Sequence, residues 1–250
     1  MTEVERRTAL EAVATEVRAC TRCRLHETRT RAVPGEGNPD TEVVFVGEGP
    51  GFNEDREGRP FVGRAGDLLV KLLASVGWRR QDVFITNIVK CRPPDNRDPE
   101  PDEVAACAPY LQRQLEILDP AVVATLGRHS MARFMPGARI SQVHGTVHPV
   151  DPATGARDAL VVALYHPAAA LRTPAIERDS YADIAMVPRT LLESRARRLV
   201  HDEAQASAQA PAAAPAAPAT PPAPEAATAI DQAAIQGLGD QTPEDQLTLF

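Results

Sequence analysis

Four short apolar runs, EVVFVG (Glu42–Gly47), VFITNI (Val83–Ile88), AVVATL (Ala121–Leu126) and ALVVAL (Ala159–Leu164), recur along the first two hundred residues. Each is rich in β-branched residues and apolar at nearly every position, as strands covered on both faces are; half-exposed strands alternate instead. Helical patterns lie between them. Leu68, Leu69, Leu72, Leu73 and Val76 form one apolar face that Gly77 ends, and Val104, Leu111, Leu115 and Leu118 form another, with Cys107 on the same side. Strands alternating with helices predict a three-layer α/β fold around a parallel sheet. Ligands of such sheets gather beyond the carboxyl ends of the strands, so the loops that follow the runs are where chemistry is expected.

Composition divides the chain. Residues 1–200 read as one domain, long enough to bury a core without covalent staples. From Ala204 to Ala229 the sequence is almost all Ala and Pro, which buries too little apolar surface to offset ordering entropy, so residues 201–241 are expected to be a disordered acidic linker. The last fifty residues hold no Lys or Arg and seven acids (Asp202, Glu203, Glu225, Asp231, Asp240, Glu244, Asp245), which account for the formal charge of -7. The globular part is therefore neutral, and its charge leaves a nucleic-acid partner open. Its basic groups cluster: Arg18, Arg22, Arg24, Arg29 and Arg31 around the first cysteines, and Lys90, Arg92 and Arg97 around the third. The charged N-terminus lacks the apolar stretch of a signal peptide, and no run of about 18 apolar residues occurs, so a soluble, cytoplasmic protein with no membrane partner is expected.

The only cysteines are Cys20-x2-Cys23 and Cys91-x15-Cys107. Disulfides rarely persist in the cytosol, whereas one short turn presenting two sulfurs, with two more brought in by the fold, closes a tetrahedral thiolate site. A metal or cluster is expected on these four, and spacing alone does not separate zinc from iron-sulfur.

The first run leads into Gly47-Glu48-Gly49-Pro50-Gly51-Phe52-Asn53-Glu54-Asp55. Its glycines let backbone approach a ligand closely, yet neither phosphate-binding glycine motif is present and the acids would repel phosphate, so general-base work on a water suits them better. Phe61, in the loop Gly58–Gly63, can floor a pocket; the second run ends on Asn87, whose amide both donates and accepts; the fourth leads into Tyr165-His166-Pro167 and on to Leu171-Arg172.

Taken in order, GEGPGFNED, GRPFVGRAG, TNIVKCRPP and HPAAALR, with the cysteine pairs in register, resemble the family 4 uracil-DNA glycosylases, over roughly Cys20 to Arg172. The resemblance implies a central parallel four-stranded sheet and hydrolysis of the N-glycosidic bond of uracil in single- or double-stranded DNA, leaving an abasic site in base excision repair. It also implies a structural 4Fe-4S cluster on Cys20, Cys23, Cys91 and Cys107. In that reading Phe61 and Gly49 line the site of the flipped uracil, Asn87 reads its O4 and N3 edge, and His166 hydrogen-bonds O2 as charge develops there. The catalytic water falls first to Glu48 and second to Glu54. Leu171 is the wedge that fills the vacated stack, and Arg172 meets a phosphate. The cluster would brace one wall of the base pocket and hold the surrounding arginines toward DNA. A monomer is expected, associated with the nucleoid.

Residues 242–250 carry a second expectation. Gln246-Leu247-Thr248-Leu249-Phe250 resembles the bacterial sliding-clamp-binding pentapeptide, with Gln246, Leu247, Leu249 and Phe250 at its anchor positions. A flexible tether of about 45 residues spans on the order of 35 to 40 Å, enough to let the enzyme search DNA while attached. Two other functions compete. A sister branch traps uracil-DNA covalently through a His in a basic insert, but the stretch from Cys91 to Cys107 contains no His. The other is a non-enzymatic DNA-binding cluster module. His129 and His144 are read as surface or packing residues.

Overall fold

In a computed structural model of the protein, residues 1–209 are described. The elements in chain order are α1 (Glu3–Ala19), α2 (Leu25–Thr28), β1 (Glu36–Gly37), β2 (Val43–Gly47), α3 (Phe52–Glu57), α4 (Gly63–Ser75), β3 (Phe84–Asn87), α5 (Pro101–Leu118), β4 (Val122–Leu126), α6 (Arg128–Phe134), α7 (Ile140–Val143), β5 (Val147–Pro149), β6 (Leu160–Leu164), α8 (Pro167–Ala170), α9 (Pro174–Ile184) and α10 (Met186–Gln209).

Every apolar run is a strand, shorter than its sequence pattern by a residue or two at the ends. The strands β3-β2-β4-β6 form the expected parallel core, fully buried, and two short antiparallel strands extend it at the edges, giving the order β1-β3-β2-β4-β6-β5. The edge strands went unforeseen because Glu36–Gly37 and Val147–Pro149 are too short, and too rich in Gly and Pro, to carry a period. The sheet is thus mixed, with a four-stranded parallel centre.

Side chains alternate across the sheet as the pleat requires. Val44, Val46, Val123 and Val161 face α1 and α5, where Leu10, Val13, Val17, Leu111 and Leu115 are buried. Val43, Phe45, Val122 and Val162 face the opposite layer, with Leu68, Leu69, Leu72 and Leu73 of α4 and Ile184 at the end of α9. Burying one such leucine stabilises by roughly 1.5–3 kcal/mol, and the doubly covered sheet explains why the four central strands are buried at every position.

From β2 the chain crosses to β3 on one side, then returns past β2 to β4 on the other. The loops after β2 and β4 therefore part at the carboxyl end of the sheet, and the crevice between them is the place where such folds take ligands.

Helix α10 continues to Gln209, past the linker boundary expected at residue 200. The segment Ala204–Gln209 is Ala- and Gln-rich with no proline, the first of the tract being Pro211, so propensity carries the helix on. The expected linker beyond it, and the peptide with Gln246, Leu247, Leu249 and Phe250, lie outside the described residues. No helix among the described residues is long and apolar enough to cross a membrane.

Candidate functional site

A cleft of about 700 Å³ opens at the crevice between the β2 and β4 loops, within the range of small-ligand sites. Glu48, Gly49, Pro50, Gly51 and Phe61 line one side, and Gly127, Arg128, Tyr165, His166 and Arg172 the other.

Packing is tight around Gly47, the last residue of β2. Register sets Gly47 beside Asn87 at the end of β3, and a Cβ on Gly47 would sit 2.4 Å from the Asn87 Oδ1 and 2.5 Å from the Phe61 ring. A bare backbone here brings the amide and the ring together over the end of one strand. Asn87 is 1% exposed, and its Oδ1 is buried with no hydrogen-bond partner. An unpaired buried acceptor costs roughly 1–3 kcal/mol, a cost that a ligand donor would remove.

Phe61 itself is held against preference. Its φ of 49° lies in the left-handed region, which costs a non-glycine residue on the order of 1–2 kcal/mol. Three contacts hold the turn: Arg80 donates to the carbonyls of Pro60 and, at 2.9 Å, of Phe61; the Val62 N–H donates to Glu54 Oε1 at 2.9 Å; and Gly66 of α4 lets that helix lie directly on the Phe61 carbonyl. The Phe61 ring lies 5.6 Å from that of His166, tilted by 31°.

His166 precedes α8 and caps it: its Nδ1 accepts from the Ala168 N–H at 3.1 Å. That bond leaves Nε2 to carry the proton. Burial, with the Arg172 cation nearby, pulls the imidazole down to about 4. The ring is thus a neutral donor at physiological pH.

The two candidate carboxylates differ. Glu54 is committed to structure, since besides Val62 it accepts from the Gly51 N–H at 3.1 Å. Asp55 of the same motif is buried and accepts from the Thr30 and Arg31 N–H groups. Glu48 makes no such bonds. Burial holds its carboxyl above the ordinary value, against the opposing field of His129, and Asp98 pushes the same way as burial. His129, read from sequence as a surface or packing residue, packs beside this carboxylate, its Nε2 3.2 Å from Asp98 Oδ1 and 3.9 Å from Glu48 Oε2. Its place just after β4, at the carboxyl end of the sheet, sets it there. His144 packs as well, against the ring of Tyr165 and Asp183.

Leu171 follows α8 and is 37% exposed, so it is no core residue. Arg172 lines the cleft beside it.

Behind the β3 wall, Cys20, Cys23, Cys91 and Cys107 line one small hollow with Val17, His26, Lys90 and Tyr110. All four are free thiols. Hydrogen-bond donors point at three of the sulfurs: Arg29 Nη1 to Cys91 at 3.0 Å, the Lys90 N–H to Cys107 at 3.2 Å and the Arg22 N–H to Cys20 at 3.5 Å. Such donors favour thiolate, whereas burial pushes the bare Cys107 thiol up to about 11; a cationic centre would have to displace its proton.

Five of the eight basic residues around the cysteines are engaged within the protein. Arg24 and Arg97 pair with the buried Glu103, Arg18 pairs with Glu11, and Arg29 spans Cys91 and the Arg18 carbonyl. Lys90 is buried altogether, its Nζ donating to Thr86 Oγ1 at 2.6 Å, Gln114 Oε1 at 2.7 Å and the Asn87 carbonyl at 2.8 Å. Unsatisfied acceptors on neighbouring segments captured these cations, and such long-range pairings leave no trace in local sequence.

Comparison with known proteins agrees with this architecture. The model of the uracil DNA glycosylase superfamily matches residues 34–186. A type-4 uracil-DNA glycosylase of Archaeoglobus fulgidus is 46% identical over 185 residues, covering 72% of this chain and 92% of that protein. One of Thermotoga maritima is 49% identical over 163 residues, covering 65% and 83%. A type-5 enzyme of Thermus thermophilus is 34% identical over 120 residues, covering 42% and 54%. Fold and cleft define an α/β protein whose crevice is lined by an aromatic ring, with a buried, unpaired amide beside that ring. The chain belongs to the uracil-DNA glycosylase superfamily, on its type-4 branch.

Proposed function

We propose that the cleft excises uracil from DNA by hydrolysis of the N-glycosidic bond, with Phe61, Asn87, His166 and Glu48 as the working set. The observation that carries this reading is the unpaired Asn87 Oδ1 beside the Phe61 ring, brought there by Gly47. A uracil extruded from the stack lies on Phe61, with the backbone of Gly49 alongside. Asn87 Oδ1 accepts from its N3–H, and the amide nitrogen donates to O4. Cytosine presents the reversed pattern, an acceptor at N3 and a donor at C4, so it leaves buried groups mispaired at roughly 1–3 kcal/mol each.

As the glycosidic bond breaks, the electron pair moves onto the base and charge gathers at O2. The neutral His166 donates from Nε2 to that oxygen, and because it is already aimed there, no reorganisation is needed during the reaction. Glu48, ionised, faces the sugar side, where it stabilises the electron-poor sugar and accepts the proton of the attacking water. Glu54 fixes the two loops that carry Gly51 and Phe61, so the water falls to Glu48. Leu171 fills the gap left in the stack and Arg172 meets a phosphate.

Cys20, Cys23, Cys91 and Cys107 are assigned to a 4Fe-4S cluster. The support is four sulfurs around one hollow, with donors aimed at three of them, and the resemblance of the cysteine framework. The cluster would serve as scaffold, joining the α1–α2 turn to the wall behind Asn87. Gln246, Leu247, Leu249 and Phe250 are assigned to a bacterial sliding clamp, on the resemblance of the pentapeptide alone.

The test is incubation with a uracil-containing single-stranded oligonucleotide followed by alkali. Strand breakage at the uracil is expected, with Asn87→Ala slower by about 100-fold in single turnover, the equivalent of two such hydrogen bonds. A denaturant-resistant adduct would point to the covalent trap, and an intact strand to a binding module.

A further inference from the structure

Phe52 is the first residue of α3, and half of it, 51%, is exposed. Two guanidiniums lie against its ring: Arg56, one turn further along α3, at 5.5 Å from the ring centroid, and Arg92, just beyond Cys91, at 5.3 Å. Neither forms an ion pair with a carboxylate among the described residues, and Arg92 is oriented by a 2.8 Å bond from its Nε to Asn96 Oδ1. Arg97 and Arg128 nearby are by contrast neutralised by Glu103 and Asp98. The patch adjoins the cleft directly. Gly51 and Glu54, on either side of Phe52, line the cleft, and so do Pro93 and Asn96 beside Arg92.

A single exposed aromatic is unremarkable on a protein surface. An exposed aromatic flanked by two uncompensated cations, at the mouth of a cleft that takes a nucleotide, has the composition of a single-strand platform: a ring on which a base stacks and cations that meet its phosphates. We propose that Phe52, Arg56 and Arg92 form a subsite for an unpaired nucleotide flanking the extruded uracil, the base stacking on Phe52 and the adjoining phosphates meeting the two arginines. Stacking tolerates any base, so the subsite favours single-stranded DNA over duplex without adding sequence preference. In a duplex the flanking base is paired and stacked on its neighbours, and only the phosphate contacts remain.

This inference rests on the uracil-excising reading of the cleft, and the experiment separates the two. Excision by the wild-type protein from a single-stranded oligonucleotide tests the cleft. KM for the same oligonucleotide is then compared between wild type and Phe52→Ala, with an abasic tetrahydrofuran spacer placed at each position flanking the uracil in turn. Phe52→Ala is expected to raise KM on the unmodified single strand about 10-fold, within the range of one base–aromatic stack, and on duplex far less. Phe52→Tyr restores the wild-type value. At one flanking position the spacer raises the wild-type KM to that of Phe52→Ala, and there the two proteins become equal. Arg56→Gln and Arg92→Gln each lower the slope of log affinity against log salt by about 1. Equal KM for wild type and Phe52→Ala on the single strand, or a loss that no spacer position abolishes, overturns the subsite while leaving uracil excision standing.

Discussion

Glu48, in the loop after β2, and Glu54, in the first turn of α3, have different surroundings, and the difference separates a carboxylate free of backbone bonds from a structural one. Both oxygens of Glu54 hold backbone N–H groups, at Gly51 and Val62, whereas Glu48 is half-buried and free of such bonds. Glu48→Gln is expected to cut the single-turnover rate by about 100-fold or more while leaving the urea midpoint unchanged. Glu54→Gln, which swaps one carboxylate oxygen for a donor facing an N–H, should lower stability by about 1–2 kcal/mol and slow excision less. In the proposed reaction Glu48 works ionised, and burial raises its pKa, so the wild-type rate should fall with decreasing pH at a point above the ordinary carboxylate range; a profile measured with Glu48→Gln should lack that limb. Neither carboxylate could be told from the other in sequence, because the discriminating partners include Val62, which only the fold of the loop brings to Glu54. Phe61 was singled out in sequence as an aromatic in a Gly/Pro loop and Asn87 as an amide at a strand end, but the left-handed φ of Phe61 and the unpaired oxygen of Asn87 were not foreseen.

Among the elements, the segment from β3 into the third cysteine joins the pocket to the thiol centre. Thr86, Asn87, Lys90 and Cys91 fall within six residues. Lys90 ties them together: its N–H donates to Cys107 Sγ, and its Nζ holds the carbonyl of Asn87, with Thr86 and Gln114 taking its other two donors. The pocket amide therefore hangs from the same residue that faces the thiols. Lys90→Met, near in volume but without the donors, should free the Asn87 carbonyl and weaken inhibition by free uracil about 10-fold, or 1.4 kcal/mol. Unchanged inhibition would mean that Asn87 is positioned by the β2 register alone. The four core strands and helices α4 and α5 were readable from their apolar runs and faces, whereas α1 and α10, the one 17 and the other 24 residues long, were not foreseen. The edge strands β1 and β5, and the helical reach of α10 to Gln209, were missed where a segment is too short for a period or where alanine serves helix and linker equally.

At the scale of the molecule, residues 1–209 form one compact unit, and the peptide assigned to the clamp lies apart from it in sequence. Deleting residues 242–250 should leave oligonucleotide excision at the wild-type rate and abolish capture by immobilised clamp; capture by the truncated protein would sink the assignment. The cleft and the thiol hollow need only the compact unit, whose layers place them on the two sides of the β3 wall. By itself the sequence determined the α/β class, the parallel strand core, the family and the identity of the four thiols, all of which depend on local periods and on residues at short spacing. Only the tertiary structure decided which arginines are paired, which carboxylate stays free of backbone bonds, that His129 lies beside Asp98 and Glu48 and that Lys90 is buried. Those outcomes rest on partners far apart in the chain, with Arg24 meeting Glu103 and Arg29 meeting Cys91. A buried donor or acceptor takes whichever complementary group the packed layers deliver, and no local pattern encodes that choice.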